Sequence, residues 1–310
     1  MLKLIQNEWI KLWHKKGTWI AVILLAVLII GLSGLGKFME GKNNNSAWTE
    51  DLRVELEQVE EELSAADLAE DERVELIQRQ KDIQQNINVN IQMSIPKTRE
   101  NAILETAGAM SLVLLLMIIT SAGIVASEFS QGTIKMLLSR PVKRWKILTS
   151  KYVTVLLFGL TLTFVTYVFS VISAYVFYPA AEGSSILFNN ADIAVTSVWG
   201  ESVYLLLLSF VYVCVMATLA FTIGSVFRSS AMAIGISIFL YFSGSMIVMF
   251  LQDYAIAKYI LFAHDLMQYQ SDYRILESNT MPFSIAVLVA YLVVFLAISY
   301  STFIKRDITA

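Results

Sequence analysis

Residues 128–151 have the sequence EFSQGTIKMLLSRPVKRWKILTSK and join two long apolar runs. After Glu128, this stretch contains six Lys and Arg residues and no acidic residue. Positive residues next to membrane spans resist translocation, so a cationic connector between two spans is expected on the cytoplasmic side. Residues 134–138 are predicted to form a short amphipathic helix, because turn-forming residues flank them on both sides. A short surface helix between two spans is a place where a soluble partner can push.

The composition is that of a polytopic membrane protein. Of the 310 residues, 56% are hydrophobic, and the mean hydropathy is +0.61; soluble domains average about 45–50% apolar residues. The apolar residues are concentrated in runs of membrane-crossing length. We therefore predict an all-α polytopic membrane protein. Its six transmembrane helices are expected at residues 18–35, 106–127, 153–177, 202–227, 231–251 and 282–303.

The distribution of Lys and Arg predicts that both chain ends lie in the cytoplasm. The predicted inner segments contain 13 Lys and Arg residues, whereas the short predicted outer loops contain two, Lys258 and Arg274. Residues 1–17 carry apolar residues at helical spacing, including two tryptophans, which favours an interfacial helix with these rings at headgroup depth. The alternative is that this helix extends the first span into the cytosol.

Residues 39–105 differ in character, with 16 acidic residues against seven basic ones. Apolar residues alternate at spacings of four and three from Leu52 to Ala66, which is typical of a coiled-coil seam, and a second apolar stripe runs from Leu76 to Ile91. Both ends must return to the same membrane face. The sequence therefore predicts an extracellular helical hairpin, whose role could be substrate handling, contact with a partner or a second subunit, or simple spacing.

Several kinds of chemistry have no support in the sequence. The predicted spans contain no Asp, Glu, Lys, Arg or His, which argues against a proton-driven transporter. His14 and His264 lack neighbours with metal-ligand spacing. The stretch from Gly31 to Phe38 nearly matches a phosphate-binding loop, but Phe38 replaces the hydroxyl residue that would bind magnesium. We therefore predict no catalytic residue, cofactor or metal site, and expect a permease energised by a separate ATPase rather than an enzyme.

The connector also resembles the E…GT…LL…P…R…K pattern of ABC-2 type transporter permeases. The matching residues are Glu128, Gly132, Thr133, Leu137, Leu138, Pro141, Arg144 and Lys151. The stretches from Asn7 to Lys11 and from Phe303 to Asp307 are similar to the family's usual beginning and ending. The resemblance implies a single transmembrane domain over residues 1–310, serving as the permease subunit of an exporter in a bacterial plasma membrane. Its implied partners are an ABC ATPase subunit, a second permease subunit (identical or different) and membrane lipids, with no nucleic acid.

The segment expected to couple to the ATPase is residues 128–151. Its candidate residues are Glu128, Gly132, Thr133, Arg140, Pro141, Lys143 and Arg144. Glu128 is interpreted either as a latch to the connector or the partner, through Arg140 or Arg144, or as an exposed interfacial carboxylate.

The other candidates in this segment have structural or docking interpretations. Gly132 is expected to permit a tight turn, Thr133 to cap the following helix and Pro141 to stop it. Arg140, Lys143 and Arg144 are expected to contact the partner, anionic lipid headgroups, or both.

Two further hypotheses belong to other functional classes. One is a non-transporting membrane scaffold or sensor that binds a partner through its outer hairpin. The other is a secondary transporter built from inverted repeats, which is disfavoured because the sequence has no internal repeats and no matching broken spans.

Overall fold

A computed structural model gives the architecture of the chain. It describes residues 1–42, 46–64, 73, 76–84, 97–134, 142–188, 191–227, 229–270, 274–276 and 278–305. The α-helices are α1 (Leu2–Trp13), α2 (Lys16–Lys42), α3 (Ser46–Ser64), α4 (Arg99–Leu104), α5 (Met110–Ser130), α6 (Arg144–Phe177), α7 (Val198–Val226), α8 (Ser230–Leu251) and α9 (Met281–Lys305).

Six helices in the described part of the chain are long and apolar enough to cross a membrane. They are α2, α5 with the helical turns before it, α6, α7, α8 and α9. The prediction of six membrane-crossing helices is therefore confirmed. We call the end of the bundle where α5 ends and α6 begins the connector end.

Helix α6 begins much earlier than the predicted span at residues 153–177. It starts at Arg144, preceded by Lys143 in an extended conformation (φ −61°, ψ 134°). Hydropathy locates the apolar run, whereas a helix continues through polar residues until a breaker ends it. Residues 144–151, which the sequence assigned to the connector, are thus the first two turns of a transmembrane helix.

Helices α5 and α7 form the centre of the bundle, since they are buried over more of their length than the other spans. Their backbones approach closely at Gly224, where an added Cβ would lie 2.3 Å from the carbonyl oxygen of Ala122. Small residues allow such close approach between membrane helices, where packing rather than the hydrophobic effect drives association. The other spans pack around this pair.

The all-α prediction missed a small hairpin between α6 and α7. Strands β1 (Ser185–Phe188) and β2 (Ala191–Ala194) pair antiparallel, with Ile186 opposite Ile193. Ile186 is buried against Ile103 and Val198. β-Branched and aromatic residues around the asparagine pair at 189–190 favour a tight hairpin, a signal too short to stand out beside the long spans.

The segment between α8 and α9 also differs from its prediction. The sequence of residues 254–262 predicts one short helix near the outer interface. Instead the chain forms separate 3₁₀ turns at Ala257–Tyr259, Leu261–Ala263 and Leu266–Gln270. The extended backbone of Ile260 (φ −73°, ψ 128°) breaks the helix. The segment folds inward and closes the end of the bundle opposite the connector.

This inward-folded segment is fixed by packing and by hydrogen bonds. The ring of Phe262 lies against α8 at Gly244, where an added Cβ would be 2.3 Å from the ring. His264 Nδ1 and the hydroxyl of Tyr269 lie 2.7 Å and 2.6 Å from Ser284 Oγ in the first turn of α9.

Two helical stretches of the acidic segment contact each other: α3 and residues 76–84. Val59 and Ile83 are buried together, and Arg79 forms an ion pair with Glu55. The predicted seam residues Ala66, Ile87 and Ile91 lie outside the described residues, so the coiled-coil hairpin as a whole stays a prediction.

Candidate functional site

Helix α1 holds charged side chains against the connector end of the bundle. Its apolar side packs on α6: Leu12 is buried, and the rings of Trp13 and Phe158 meet edge to face with centroids 5.9 Å apart. Residues three apart are neighbours on a helix surface. Glu8 and Lys11 therefore lie side by side, where they meet the ends of α5 and α6.

Lys151 is the centre of the site. It lies two turns into α6, and its side chain is only 1% exposed. Its ammonium donates to a carboxylate oxygen of Glu8 at 2.7 Å and to one of Glu128 at 2.9 Å. Lysine is almost never fully buried unless it is paired, and two carboxylates supply the pairing here. One ammonium thus joins α1, α5 and α6.

Glu128 lies in the last turn of α5 and is 3% exposed. The carbonyl end of a helix carries partial negative charge, so a carboxylate there needs compensating donors. Besides Lys151, the carboxylate accepts hydrogen bonds from the ammonium of Lys11 and the hydroxyl of Thr133. Gly132 has a φ of +69°, in the left-handed region that favours glycine, and this turn brings Thr133 back to Glu128.

We call Glu8, Lys11, Glu128 and Lys151 the ion cluster. Its two carboxylates and two ammoniums balance in charge. Removing ions from water costs several kcal/mol each, and mutual attraction with good hydrogen bonds offsets this cost. Removing one partner from a buried pair destabilises a protein by about 3–5 kcal/mol, because the other charge is left uncompensated. The cluster therefore fixes the relative positions of the helices that carry it.

Further contacts join this end of the bundle to α9. Arg144 donates from Nη1 to the carbonyl oxygen of Ile304 at 3.0 Å, a favourable place for a cation at the end of a helix. The hydroxyls of Thr149 and Tyr300 lie 2.6 Å apart. The ends of α6 and α9 are thereby held together.

One predicted partner of Glu128, Arg144, requires correction, whereas the other, Arg140, lies outside the described residues. Arg144, one expected partner, bonds to the end of α9, while Glu128 is bound by Lys151, Lys11 and Thr133. The reason is the early start of α6, which places Lys151 rather than Arg144 at the level of the carboxylate. Glu128 is also buried, which excludes the alternative of an exposed interfacial carboxylate.

The structure brings together only some of the predicted site residues. Glu128, Gly132 and Thr133 belong to one local arrangement, and Lys143 is exposed just before α6. Several residues of the sequence-based predictions lie outside the described residues: Lys135 to Leu138 of the expected surface helix, Arg140, Pro141, Arg306 and Asp307.

Sequence reasoning missed Glu8, Lys11 and Lys151 as site residues. By sequence alone, Lys151 is one of several juxtamembrane cations, and Glu8 and Lys11 are polar residues of the predicted interfacial helix. A signal was present, because Glu128 is the one acid at the start of a cationic stretch and needs a partner. The separation of more than a hundred residues between Lys11 and Glu128 hides the contact from any local pattern.

A cavity of about 310 Å³ lies beside the ion cluster. It is bounded by α1, α2, α5, α6 and α8, and all four cluster residues line it. Within the described residues, no group of three or more His, Cys, Asp or Glu side chains is arranged to hold a metal ion.

Comparison with known proteins gives the family context. A family described as "Protein of unknown function (DUF2705)" matches residues 75–309, a range that includes Glu128 and Lys151. The chain is 33% identical over 314 residues to the uncharacterized protein YhcI of Bacillus subtilis (strain 168), with 99% of both chains covered. It is 31% identical over 200 residues to the uncharacterized membrane protein YdbK of the same organism, covering 62% of this chain and 76% of that protein.

The assignment to the ABC-2 type permease family is therefore wrong, because the family that matches is DUF2705. The pattern that suggested it combines a turn glycine, a helix-stopping proline and juxtamembrane cations. Any tight cytoplasmic connector between two spans favours these residue types, so their order alone does not identify a family.

Proposed function

Because the chain belongs to the DUF2705 family of proteins of unknown function, we propose its role from its own geometry. We infer that it is the membrane permease subunit of an exporter, and that ATP hydrolysis in a separate ATPase subunit drives it. The proposed complex lies in the plasma membrane and contains a second permease subunit, identical or different.

One observation carries this proposal: the buried Lys151 ammonium joins α1, α5 and α6 at the connector end. Thr133 adds the connector itself to the same network through its bond to Glu128. A force applied to the connector therefore reaches two transmembrane helices and α1 together. Packed helices respond to such a force by rigid-body tilting, a recurrent way of opening and closing a path between helices.

The surface around the connector supports contact with a soluble partner. Lys143 and Trp145 are exposed, and the Lys146 ammonium lies 5.6 Å from the centroid of the Trp145 ring. Exposed aromatic residues are enriched where proteins bind one another, which makes Trp145 the main contact residue of this surface. The excess of Lys and Arg at this end favours a cytoplasmic location, where ATP is available.

The positions of the charged residues in the spans support a permease that is driven by a separate ATPase. In the described residues, the charged groups of the six membrane-crossing helices lie close to the helix ends, as Glu128 and Lys151 do. A proton relay across the membrane would need ionisable groups deep in the bundle.

The test is purification of the full-length chain from its native membranes in a mild detergent, followed by measurement of ATP hydrolysis. We expect an ATPase subunit to copurify with the wild type and with Lys151→Met. In the Lys151→Met complex, ATP hydrolysis should fall about tenfold, equivalent to about 1.4 kcal/mol in the activation barrier. The reason is that a movement of the connector is no longer transmitted to both α5 and α6. Lys3→Met, which removes an exposed lysine of α1, is the control and should behave as the wild type.

A preparation that keeps its other subunits but contains no ATPase would contradict this function. It would favour a membrane scaffold or sensor, the second candidate. The packing of Val59 against Ile83 supports that candidate, because it builds a helical surface outside the spans that is suited to binding a partner.

A further inference from the structure

The cavity beside the ion cluster has two chemically different parts. Toward the connector end it is lined by the charged residues of α1, α5 and α6. Farther into the bundle its wall is mostly apolar, with Thr120 as the polar exception, and belongs to the membrane-crossing helices. The apolar wall consists of Ala21, Leu116, Ile119, Ile124, Phe158 and Ile234.

The charged part carries an excess of positive charge. Three lysines line it, Lys11, Lys15 and Lys151, against two carboxylates, Glu8 and Glu128. Lys11 and Lys151 are engaged with these carboxylates. The Lys15 ammonium forms no hydrogen bond or ion pair with any described residue.

The surroundings of Lys15 favour an anion beside it. Lys15 lines the cavity but is largely exposed. Its pKa is lowered by partial desolvation and by the neighbouring ammoniums of Lys11 and Lys151, while Glu128 and Glu8 oppose this shift. A negative group bound there would relieve this repulsion between like charges.

The shape of the cavity matches an amphiphile. Along α5 the lining runs from Glu128 to Leu116, a distance of about 18 Å at the helical rise of about 1.5 Å per residue. This length spans the depth from the headgroup region into the hydrocarbon core. The volume admits a headgroup and the upper part of one chain.

We propose that this cavity binds one phospholipid with an anionic headgroup, its phosphate on Lys15 and Lys11 and one acyl chain along the apolar wall of α2, α5 and α8. Basic pockets between membrane helices on the cytoplasmic side are suited to such headgroups. A free phosphate would satisfy the lysines but would leave the apolar wall without contacts. The inference is separate from the proposed function, since lipid binding requires no ATPase.

Two substitutions separate the two parts of the site. Lys15→Gln removes the Lys15 ammonium, and Lys16→Gln removes a neighbouring charge outside the cavity as its control. Gly123→Leu fills the apolar part, because Gly123 lines the cavity and an added Cβ there would meet only Ile234 at 3.8 Å. Gly31→Leu is the control, since no atom of the described residues lies within 4 Å of an added Cβ at that position.

The full-length chain is reconstituted in phosphatidylcholine vesicles that contain a minor fraction of phosphatidylglycerol. Lipids retained after extraction are counted by native mass spectrometry. We expect one phosphatidylglycerol per wild-type chain. Retention should fall about tenfold for Lys15→Gln, as the loss of a charge-assisted hydrogen bond implies. Gly123→Leu should reduce retention similarly by filling the volume, and both controls should retain the lipid.

Equal retention of phosphatidylcholine and phosphatidylglycerol by the wild type would overturn the proposal, whatever the variants do. Displacement of phosphatidylglycerol by inorganic phosphate would also overturn it, because the ligand would then be a free anion. A Gly123→Leu variant that elutes as a single species and still retains the lipid would exclude the acyl chain from the cavity.

Discussion

The ammonium of Lys151 lies 2.9 Å from a carboxylate oxygen of Glu128, and both side chains are almost completely buried at the connector end of the bundle. Glu8 shares the same ammonium at 2.7 Å. A buried charge pair tolerates little displacement, because separated charges would remain in a poorly solvated environment. The contact therefore couples the positions of α1, α5 and α6.

Lys151→Met should lower the stability of the protein by about 3–5 kcal/mol, because Glu8 and Glu128 lose their shared buried cation. Thermal unfolding of the purified protein in detergent measures this effect. Lys3→Met should leave the midpoint unchanged, since Lys3 is exposed.

Replacing both members of the central pair should restore much of that loss. In Lys151→Met/Glu128→Leu, no uncompensated charge remains between α5 and α6, and Glu8 and Lys11 can pair along α1. A double variant that is less stable than Lys151→Met alone would contradict the account of the ion cluster.

Thr133→Val should weaken the link between the connector and the cluster. The change keeps the shape of the side chain but removes the hydroxyl that donates to Glu128, at a cost of about 1–3 kcal/mol. Proteolysis of the connector in the folded protein should therefore become faster. Thr161→Val is the control, because its hydroxyl only bonds to the preceding turn of its own helix at Leu157. Equal proteolysis of both variants would exclude a role for the Thr133 hydroxyl.

Gly224→Ala should disturb the centre of the bundle. The new methyl group would lie 2.3 Å from the carbonyl oxygen of Ala122, so the backbones of α5 and α7 must separate, which costs about 1–3 kcal/mol. The measurement compares the thermal unfolding midpoint of Gly224→Ala with that of the control variant Gly235→Ala. Gly235 has open space around it and should tolerate the change; similar midpoints would argue against the close approach.

Ser284→Ala should loosen the segment that closes the bundle opposite the connector. His264 Nδ1 and the Tyr269 hydroxyl would lose a shared partner, which costs about 1–3 kcal/mol. Ser243→Ala removes a hydroxyl that bonds only to Phe239 in its own helix, and it should be nearly neutral. Hydrogen exchange of residues 257–270 measures the loosening, and equal exchange in both variants would refute it.

The same segment should respond to acid. Burial lowers the pKa of His264 below its ordinary value of about 6.5, despite an opposing backbone hydrogen bond. Above pH about 6.5 the ring is neutral in both the folded and the unfolded state, and the segment has its full stability. As the pH falls, the unfolded state binds a proton first, so this stability is lost as the pH passes through the lowered pKa of the folded state. Hydrogen exchange that does not depend on pH in this range, after correction for intrinsic rates, would contradict the assignment of a neutral buried His264.

The number of membrane-crossing helices could be predicted from the sequence, because long apolar runs have no other stable arrangement in this chain. The start of α6 could not, since hydropathy does not register a helix that continues through Lys151 and Arg144. The ion cluster was only half visible: Glu128 stood out, but its partner Lys11 is distant in the sequence. Such contacts depend on how α1 folds back onto the bundle, which no local spacing records.

The family resemblance shows a related limit. Gly132 and Pro141 with nearby cations describe a connector at a membrane surface, and these requirements are shared by unrelated proteins. The position of the connector at the cytoplasmic surface stays a prediction.

The most direct test of the central claim is site-specific photo-crosslinking in living cells, with a photoreactive amino acid in place of Lys143. If the connector contacts an ATPase, this position should form an adduct with a cytoplasmic protein that has a phosphate-binding loop and hydrolyses ATP. The control places the photoreactive amino acid at the exposed Trp199, at the opposite end of the bundle, where this adduct should not form. Adducts at position 143 with extracellular proteins, or with no ATPase, would contradict it.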